Sequence, residues 1–238
     1  VGELELPSYD LVMRPWILEY GSWEIEEAVQ LRGLVKLGDL VVNVGANVGY
    51  TSLLLSQLVG NLGSVISVEP EPLNVSLLDR NLTRNKVSNV LVLNAACGDA
   101  NGSIKLHLSP DNSGDHRTTS NPDSIESAIV RCLTVDKLMA RRTKVSGLVI
   151  DAQGYDHRII RGAKRTIRRS CRFVMAEFWP KGILLAGDDP SEVFEFYRSR
   201  FSRVIDVPSN TDLGDLKWNQ VLEVVTSNND HSTLLMLA

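Results

Sequence analysis

The chain has 238 residues, with 43% hydrophobic and 23% charged residues, the proportions of an ordinary globular protein and not of a disordered or collagen-like one. Net charge is −4 at a sequence pI near 5.6, which disfavours a globally basic nucleic-acid binder. No apolar run approaches the roughly 18 residues of a membrane span. Three sparse cysteines, Cys97, Cys132 and Cys171, form no disulfide framework and read as reduced core residues. The chain opens on Val1 without a recognisable signal peptide, so the expected location is cytoplasmic. The mean charge hides a contrast. Between Arg131 and Arg172 stand twelve Lys or Arg against three Asp, a window of +9 that leaves −13 for the remainder.

Taken in chain order, residues 22–35 read as an amphipathic helix preceding the core, so that residues 1–36 form an N-terminal helical cap. Residues 39–44 read as a buried strand closed by Gly45, residues 49–59 as a helix ended by Gly60, and residues 64–69 as a second strand. Pro72 opens a helix over 72–85, and 89–95 is a third strand. Residues 102–108 and 128–135 then alternate apolar and polar side chains. They predict two antiparallel strands inserted at about 101–133 and joined by a long polar lid. A short helix at 134–141, a strand at 145–151, a helix at 155–170 and a strand at 172–178 resume the alternation. A helix at 190–201, a strand at 203–207, a helix at 214–226 and a strand at 232–238 complete it. Alternation of this kind predicts one α/β domain over 1–238 with a mostly parallel sheet and helices on both faces.

Strand 39–44 runs into Gly45-Ala46-Asn47-Val48-Gly49 and then a helix, which brings a main-chain turn to the C-terminal edge of the sheet. Glu69, at the end of the next strand, is placed to accept hydrogen bonds from ribose hydroxyls. A dinucleotide site would carry G-x-G-x-x-G, whereas here the middle glycine is Asn47 and the helix starts with neutral Tyr50, Thr51 and Ser52. That pairing favours S-adenosylmethionine, which has no phosphates, over NAD.

The runs VVNVGANVGYTS, VEPEPLNVSLLDRNLTRN, NAACGD, VIDAQGYDHRIIRGA and FVMAEF, in that order, resemble the FkbM-type S-adenosylmethionine-dependent O-methyltransferases over about residues 20–207. The resemblance implies a class I methyltransferase (Rossmann-like) fold with a seven-stranded sheet whose last strand is antiparallel. It implies methyl transfer to a hydroxyl, typically of a sugar or natural product. By position it implies cofactor contacts from Asn43, Gly45, Asn47, Gly49, Thr51, Glu69, Pro70 and Ala96, with Asp151 and Gln153 after the fourth parallel strand. Asn43 stands where the family usually has Asp. In place of the family's K-x-D-x-E-G-x-E the chain has Val149, Asp151, Gln153, Gly154 and Asp156, without the Lys and the first Glu.

An alcohol nucleophile needs a base or a metal to take its proton. Asp151, at a strand end beside the expected crevice, is the first candidate, as base or as ligand of a divalent metal such as Mg²⁺; a helix-capping or cofactor-ordering role is the other reading. His116 in the lid and Glu177 at the end of strand 172–178 are further catalytic candidates, with a solvent-facing loop and a buried hydrogen-bonded carboxylate as their plainer readings. His157 is expected as an exposed residue of its helix. Trp16, Tyr20, Trp23 and Trp179 suit either an aromatic platform for the acceptor or packing of the N-terminal helix. Arg158, Arg161, Arg165, Arg168 and Arg172 form one helical stripe, most simply a solvated face, otherwise a contact for an anionic acceptor. The expected partner is a small-molecule or carbohydrate acceptor. A nucleic-acid ribose methyltransferase and a non-catalytic S-adenosylmethionine-binding module are the alternatives.

Overall fold

A computed structural model describes residues 1–119, 124, 126–140, 144–227 and 230–238. The elements run α1 (Met13–Tyr20), α2 (Ile25–Leu34), β1 (Leu40–Val44), α3 (Tyr50–Val59), β2 (Ser64–Glu69), α4 (Pro72–Arg84), β3 (Val90–Asn94), β4 (Ala96–Cys97), β5 (Gly102–Leu108) and β6 (Glu126–Leu133). There follow α5 (Val135–Leu138), β7 (Gly147–Ile150), α6 (Asp156–Arg161), α7 (Lys164–Ser170), β8 (Phe173–Phe178), α8 (Pro180–Leu185), α9 (Pro190–Arg198), β9 (Arg203–Asp206), β10 (Thr211–Asp212), α10 (Trp218–Thr226) and β11 (Ser232–Leu237).

The main sheet has the order β10-β9-β11-β8-β7-β1-β2-β3. β11 is antiparallel to both its neighbours, while β3, β2, β1, β7 and β8 are parallel. This is the expected class I arrangement, lengthened by the two-residue β10 that pairs antiparallel with the edge strand β9. Its central strands are apolar on both faces because helices cover both. In β1, Val42 and Val44 enter one core and Val41 the other. Crossovers leave β1 in opposite directions, so the switch point lies between β1 and β7, where open α/β sheets bind ligands. There Asp151 N–H donates to Val44 O at 2.9 Å.

The insertion is a second sheet, β4-β6-β5, in which β5 and β6 pair antiparallel as predicted and β4 adds a parallel strand. Part of the predicted lid, residues 120–123 and 125, lies outside the described residues. Its first half folds back, with a bridge between His107 and Arg117.

The local structure departs from expectation at three helices. The helix predicted over 155–170 is two helices, because Gly162 lets the chain pass so close to β4 that a Cβ there would lie 2.0 Å from Gly98 O. α1 was not expected. Asp10 starts it, accepting the amide protons of Val12 and Arg14, and Gly21 ends it in the left-handed conformation at φ 70°. Helix α8, opened by Pro180, was likewise not read from the sequence. α1 packs Met13 and Ile17 with Val48, Tyr50 and Leu77, which lays the N-terminal segment against the glycine turn. The three cysteines are unbridged and buried, as expected, and burial pushes the Cys97 and Cys171 thiols up to about 12. Among the described residues no helix is long and apolar enough to cross a membrane.

Candidate functional site

Two connected hollows lie at the C-terminal edge of the sheet. A small chamber is lined by Glu69, Pro70, Asn74, Ala96, Ser113 and His116. A cleft of about 760 Å³ is lined by Asn43, Thr51, Glu177 and Trp179, and by Trp16, Trp23, Glu24 and Glu27 of the N-terminal helices. Gly45, Asn47, Gly114, Asp151 and Gln153 line both and therefore mark the junction.

The turn after β1 is held by close main-chain contact. Gly45 has φ 78°, and a Cβ there would lie 1.7 Å from Asp151 O, so only glycine fits between β1 and β7. Asn47 is left-handed at φ 46°, and its amide donates to Glu69 Oε2 at 2.8 Å. The Glu71 amide donates to Glu69 Oε1 at 3.0 Å. The Asn74 side chain is a further hydrogen-bond partner of Glu69, which lines the small chamber. Burial pushes the Glu69 carboxyl up to about 7, against the two amide hydrogen bonds that favour its ionised form. Asn43 donates to Ser52 Oγ at 3.0 Å, and Ser52 bonds Ser67 at 2.8 Å. An amide suits that buried chain where a carboxylate could only accept. Gly49 does not reach either hollow. It starts α3 at φ 99° where a Cβ would strike Leu78 of α4, so its place is in packing rather than at the ligand.

The small chamber is roofed by the loop after β5. Ser113 donates its amide at 3.0 Å and its hydroxyl at 2.5 Å to Asp10 Oδ2, and Asn74 Nδ2 donates to Ser113 O at 2.9 Å. Asn74 and Asp10 were not singled out as site residues. The signal for Asn74 is its place in the first turn of the helix after the ribose-binding strand. Its Oδ1 and that of Asn47 are buried without a hydrogen-bond partner. Two orphaned acceptors, a buried carboxylate and a glycine-only turn fit a nucleoside with a polar tail. His116 belongs to this roof. Its Nδ1 accepts from Ser109 N–H at 3.0 Å and burial lowers its pKa, so it sits on the nucleoside side and not in the large cleft.

Asp151, exposed into the cleft, follows β7 at the junction. Gln153, left-handed at φ 50°, donates Nε2–H to Asp151 Oδ1 at 2.7 Å. The glutamine that replaces the family's glutamate thus supplies a donor where a second carboxylate would repel. Enclosure raises the Asp151 pKa, countered by the Gln153 hydrogen bond and the nearby His231. Glu177 is raised well above the usual range by enclosure and by Asp151 and Asp156. Val149 lines the cleft where the family has Lys, so the floor carries no cation there. Arg117 crosses the cleft wall, paired with Asp115 (Nη2–Oδ2 2.7 Å) and 4.6 Å above the Trp179 ring. Trp16 meets Tyr20 at 4.6 Å and Trp23 edge-on at 6.3 Å, forming an aromatic rim. His231 also lines this cleft.

The basic stripe does not line either hollow. Arg158 and Arg161 pair with Asp188 (2.7 Å each), Arg165 with Asp136 (3.4 Å) and Arg172 with Asp39 (2.6 Å). His157 is buried, not exposed, and meets the same Asp188 at 3.0 Å. Four of the stripe's five arginines are therefore met by carboxylates packed around them. The cleft is acidic instead, with Glu24, Glu27, Asp115, Asp151, Glu177 and Asp230 against Arg117, Lys181 and His231.

Solved structures share this architecture. A Clostridium thermocellum protein assigned as an rRNA methylase aligns with a TM-score of 0.55 at 13% identity, over 89% of this chain and 93% of that one. An rRNA methylase from Streptococcus thermophilus aligns at 0.51 and 9% identity, over 89% and 93%. A Streptococcus mutans protein in complex with SAH aligns at 0.50 and 8% identity, over 91% and 98%. At these identities the likeness shows the class I fold alone. No curated protein matches the sequence. The family model described as the methyltransferase FkbM domain matches residues 43–206, from the Asn43 end of β1 to the end of β9. The chain belongs to the FkbM methyltransferase domain family, and its cofactor is S-adenosylmethionine.

Proposed function

We propose that this methyltransferase acts on a hydroxyl of a small molecule or carbohydrate, with Asp151 as the base. The observation that carries the reading is the position of Asp151. Its carboxyl group stands at the junction of the small chamber lined by Glu69 and the open cleft, its Oδ1 accepts from Gln153, and enclosure raises its pKa, the direction a general base needs.

S-adenosylmethionine supplies an electrophilic methyl group on a sulfonium. Glu69 accepts the ribose hydroxyls, Pro70 and Ala96 border the base, and Asn74 with His116 closes the chamber over it. Gly45, Asn47 and Gln153 hold the polar tail at the junction, and Asn43 with Thr51 supports the turn from the cleft side. The chemistry the cofactor would supply is a methyl group that leaves sulfur for the acceptor oxygen, and Asp151 would take that oxygen's proton at Oδ2, the oxygen left by Gln153. Glu177 shares the cleft and binds acceptor hydroxyls. A metal-free proton transfer needs no more than this alignment. The acidic cleft disfavours a phosphate backbone, which supports a small acceptor over RNA.

The test is transfer of labelled methyl from S-adenosylmethionine to a panel of hydroxylated sugars, macrolides and short RNA. Asp151→Asn is expected to lower kcat by about 100-fold or more while cofactor affinity stays within about twofold. Full turnover in Asp151→Asn, or transfer to nitrogen in place of oxygen, overturns the reading.

A further inference from the structure

Strand alternation places Val149 and Asp151 on one face of the sheet at the end of β7. Val149 pairs in register with Met175 of β8, and Glu177 lies two residues beyond Met175 on the same face. The carboxyl groups of Asp151 and Glu177 therefore stand one pleat above an apolar pair. Val149 occupies the position where the family usually has Lys, so a hydrocarbon surface replaces a cation beneath the aspartate. Leu31 of α2 and Leu54 of α3 pack into the same cluster as Val149 and Met175, and all four line the cleft. From Leu54 the wall continues one turn back along α3 to Tyr50, whose hydroxyl accepts the Trp23 amide at 3.1 Å. Trp23 meets Trp16 edge-on, and Trp16 is 50% exposed at the rim. An apolar wall thus leads from beside Asp151 to the surface.

Much of the polar lining is already partnered within the protein. Glu24 is hydrogen-bonded to Glu27 and to the Trp23 side chain, and Glu27 also accepts from the Thr233 hydroxyl. The Glu24–Glu27 bond requires one of the two to keep its proton, which burial favours, so the pair adds less charge to the cleft than two separate carboxylates. Arg117 is matched by Asp115, Asp151 Oδ1 by Gln153, and Asn43 by Ser52. A saccharide would bring many hydroxyl groups into this space, each needing a partner to offset its lost water. A hydrocarbon body needs none, and covering the apolar wall is itself favourable.

We infer that the acceptor is an amphiphilic alcohol whose hydroxyl meets Asp151 while its hydrocarbon chain lies on the wall of Val149, Met175, Leu31 and Leu54. This rests on the function proposed above, for which it names the substrate class.

The test is calorimetric titration of protein loaded with S-adenosylhomocysteine. The probes are butan-1-ol, hexan-1-ol and octan-1-ol, with the trisaccharide maltotriose as the polar control. Affinity is expected to rise about tenfold for each two carbons added, and maltotriose to show no saturation where octan-1-ol saturates. Val149→Lys, which restores the family's residue, is expected to lower octan-1-ol affinity about tenfold or more, with S-adenosylhomocysteine affinity within about twofold. A lysine there can also unfold the core, so Val149→Thr, which keeps the side-chain shape, is the second variant, expected to lose about threefold in octan-1-ol affinity. Affinity that does not depend on chain length, maltotriose binding as tight as that of octan-1-ol, or unchanged octan-1-ol affinity in folded Val149→Thr overturns the inference. The titrations read the cleft and turnover of Asp151→Asn reads the base, so this inference and the proposed function fail on separate results.

Discussion

In the proposed site Glu69 ties cofactor binding to the stability of the empty protein, with opposite signs. Its carboxyl is buried and its pKa rises from 4.5 to about 7. A group with a raised folded pKa contributes stability that is fully present below the unfolded value and is lost as pH climbs through the folded one. The shift corresponds to about 3 kcal/mol lost from the empty protein between pH 4.5 and 8. In that proposal the ionised form accepts the ribose hydroxyls, so affinity for the nucleoside is expected to move the other way. With a pKa of about 7, the ionised fraction grows about tenfold from pH 6 to pH 8, and affinity with it. The probe is 5′-methylthioadenosine, which has no group titrating in that range. Calorimetry at pH 6 and pH 8 reads affinity, and urea unfolding at pH 5 and pH 8 reads stability, for wild type and Glu69→Gln. The variant cancels the parallel contributions of Asp151, Asp156 and Glu177, which are also raised. Its stability is expected to fall less with pH than wild type, by about 3 kcal/mol, and its affinity to be low and flat. Equal pH slopes of stability in the two proteins, or wild-type affinity that does not change from pH 6 to pH 8, would refute the assignment.

Two further outcomes follow from contacts around the switch point and the arginine stripe. Gly45→Ala places a methyl group 1.7 Å from Asp151 O in a left-handed turn, and is expected to cost about 2 kcal/mol or more in urea unfolding and to abolish 5′-methylthioadenosine binding. Asp188 gathers His157, Arg158 and Arg161, which hold its carboxyl far below the usual range; Asp188→Asn is expected to lower stability by about 2 kcal/mol at pH 7. A lowered carboxyl contributes above its unfolded pKa and loses that contribution on acidification, so the gap between the two proteins should narrow below about pH 4 in chemical denaturation.

The parallel strands and the glycine turn were legible because both rest on short-range patterns. An apolar run bounded by Gly45 is a buried strand wherever it is placed, and a carboxylate at the end of the next strand shares its edge by topology alone. The turn residues and Glu69 therefore come together as expected, while Gly49 serves packing, which a one-dimensional motif does not separate from contact. α1 escaped notice because its capping residue, Asp10, lies three positions ahead of the helix and its C-terminal glycine follows a short, exposed segment. The break at Gly162 depends on Gly98 of another sheet, more than sixty residues away.

Charge shows the division most plainly. The amino-acid sequence alone establishes that a +9 window surrounds strand β7, and with the motifs it establishes the family and the cofactor. Where that charge acts is a tertiary matter. Asp39, Asp99, Asp136 and Asp188 fold against the arginines, and carboxylates from α2, β7 and β8 converge on the cleft instead. Electrostatic energy depends on distances through space and on what solvent reaches, and neither is a function of separation along the chain. So a window that reads as basic in sequence stands beside a cleft whose charged lining is mainly acidic in the fold.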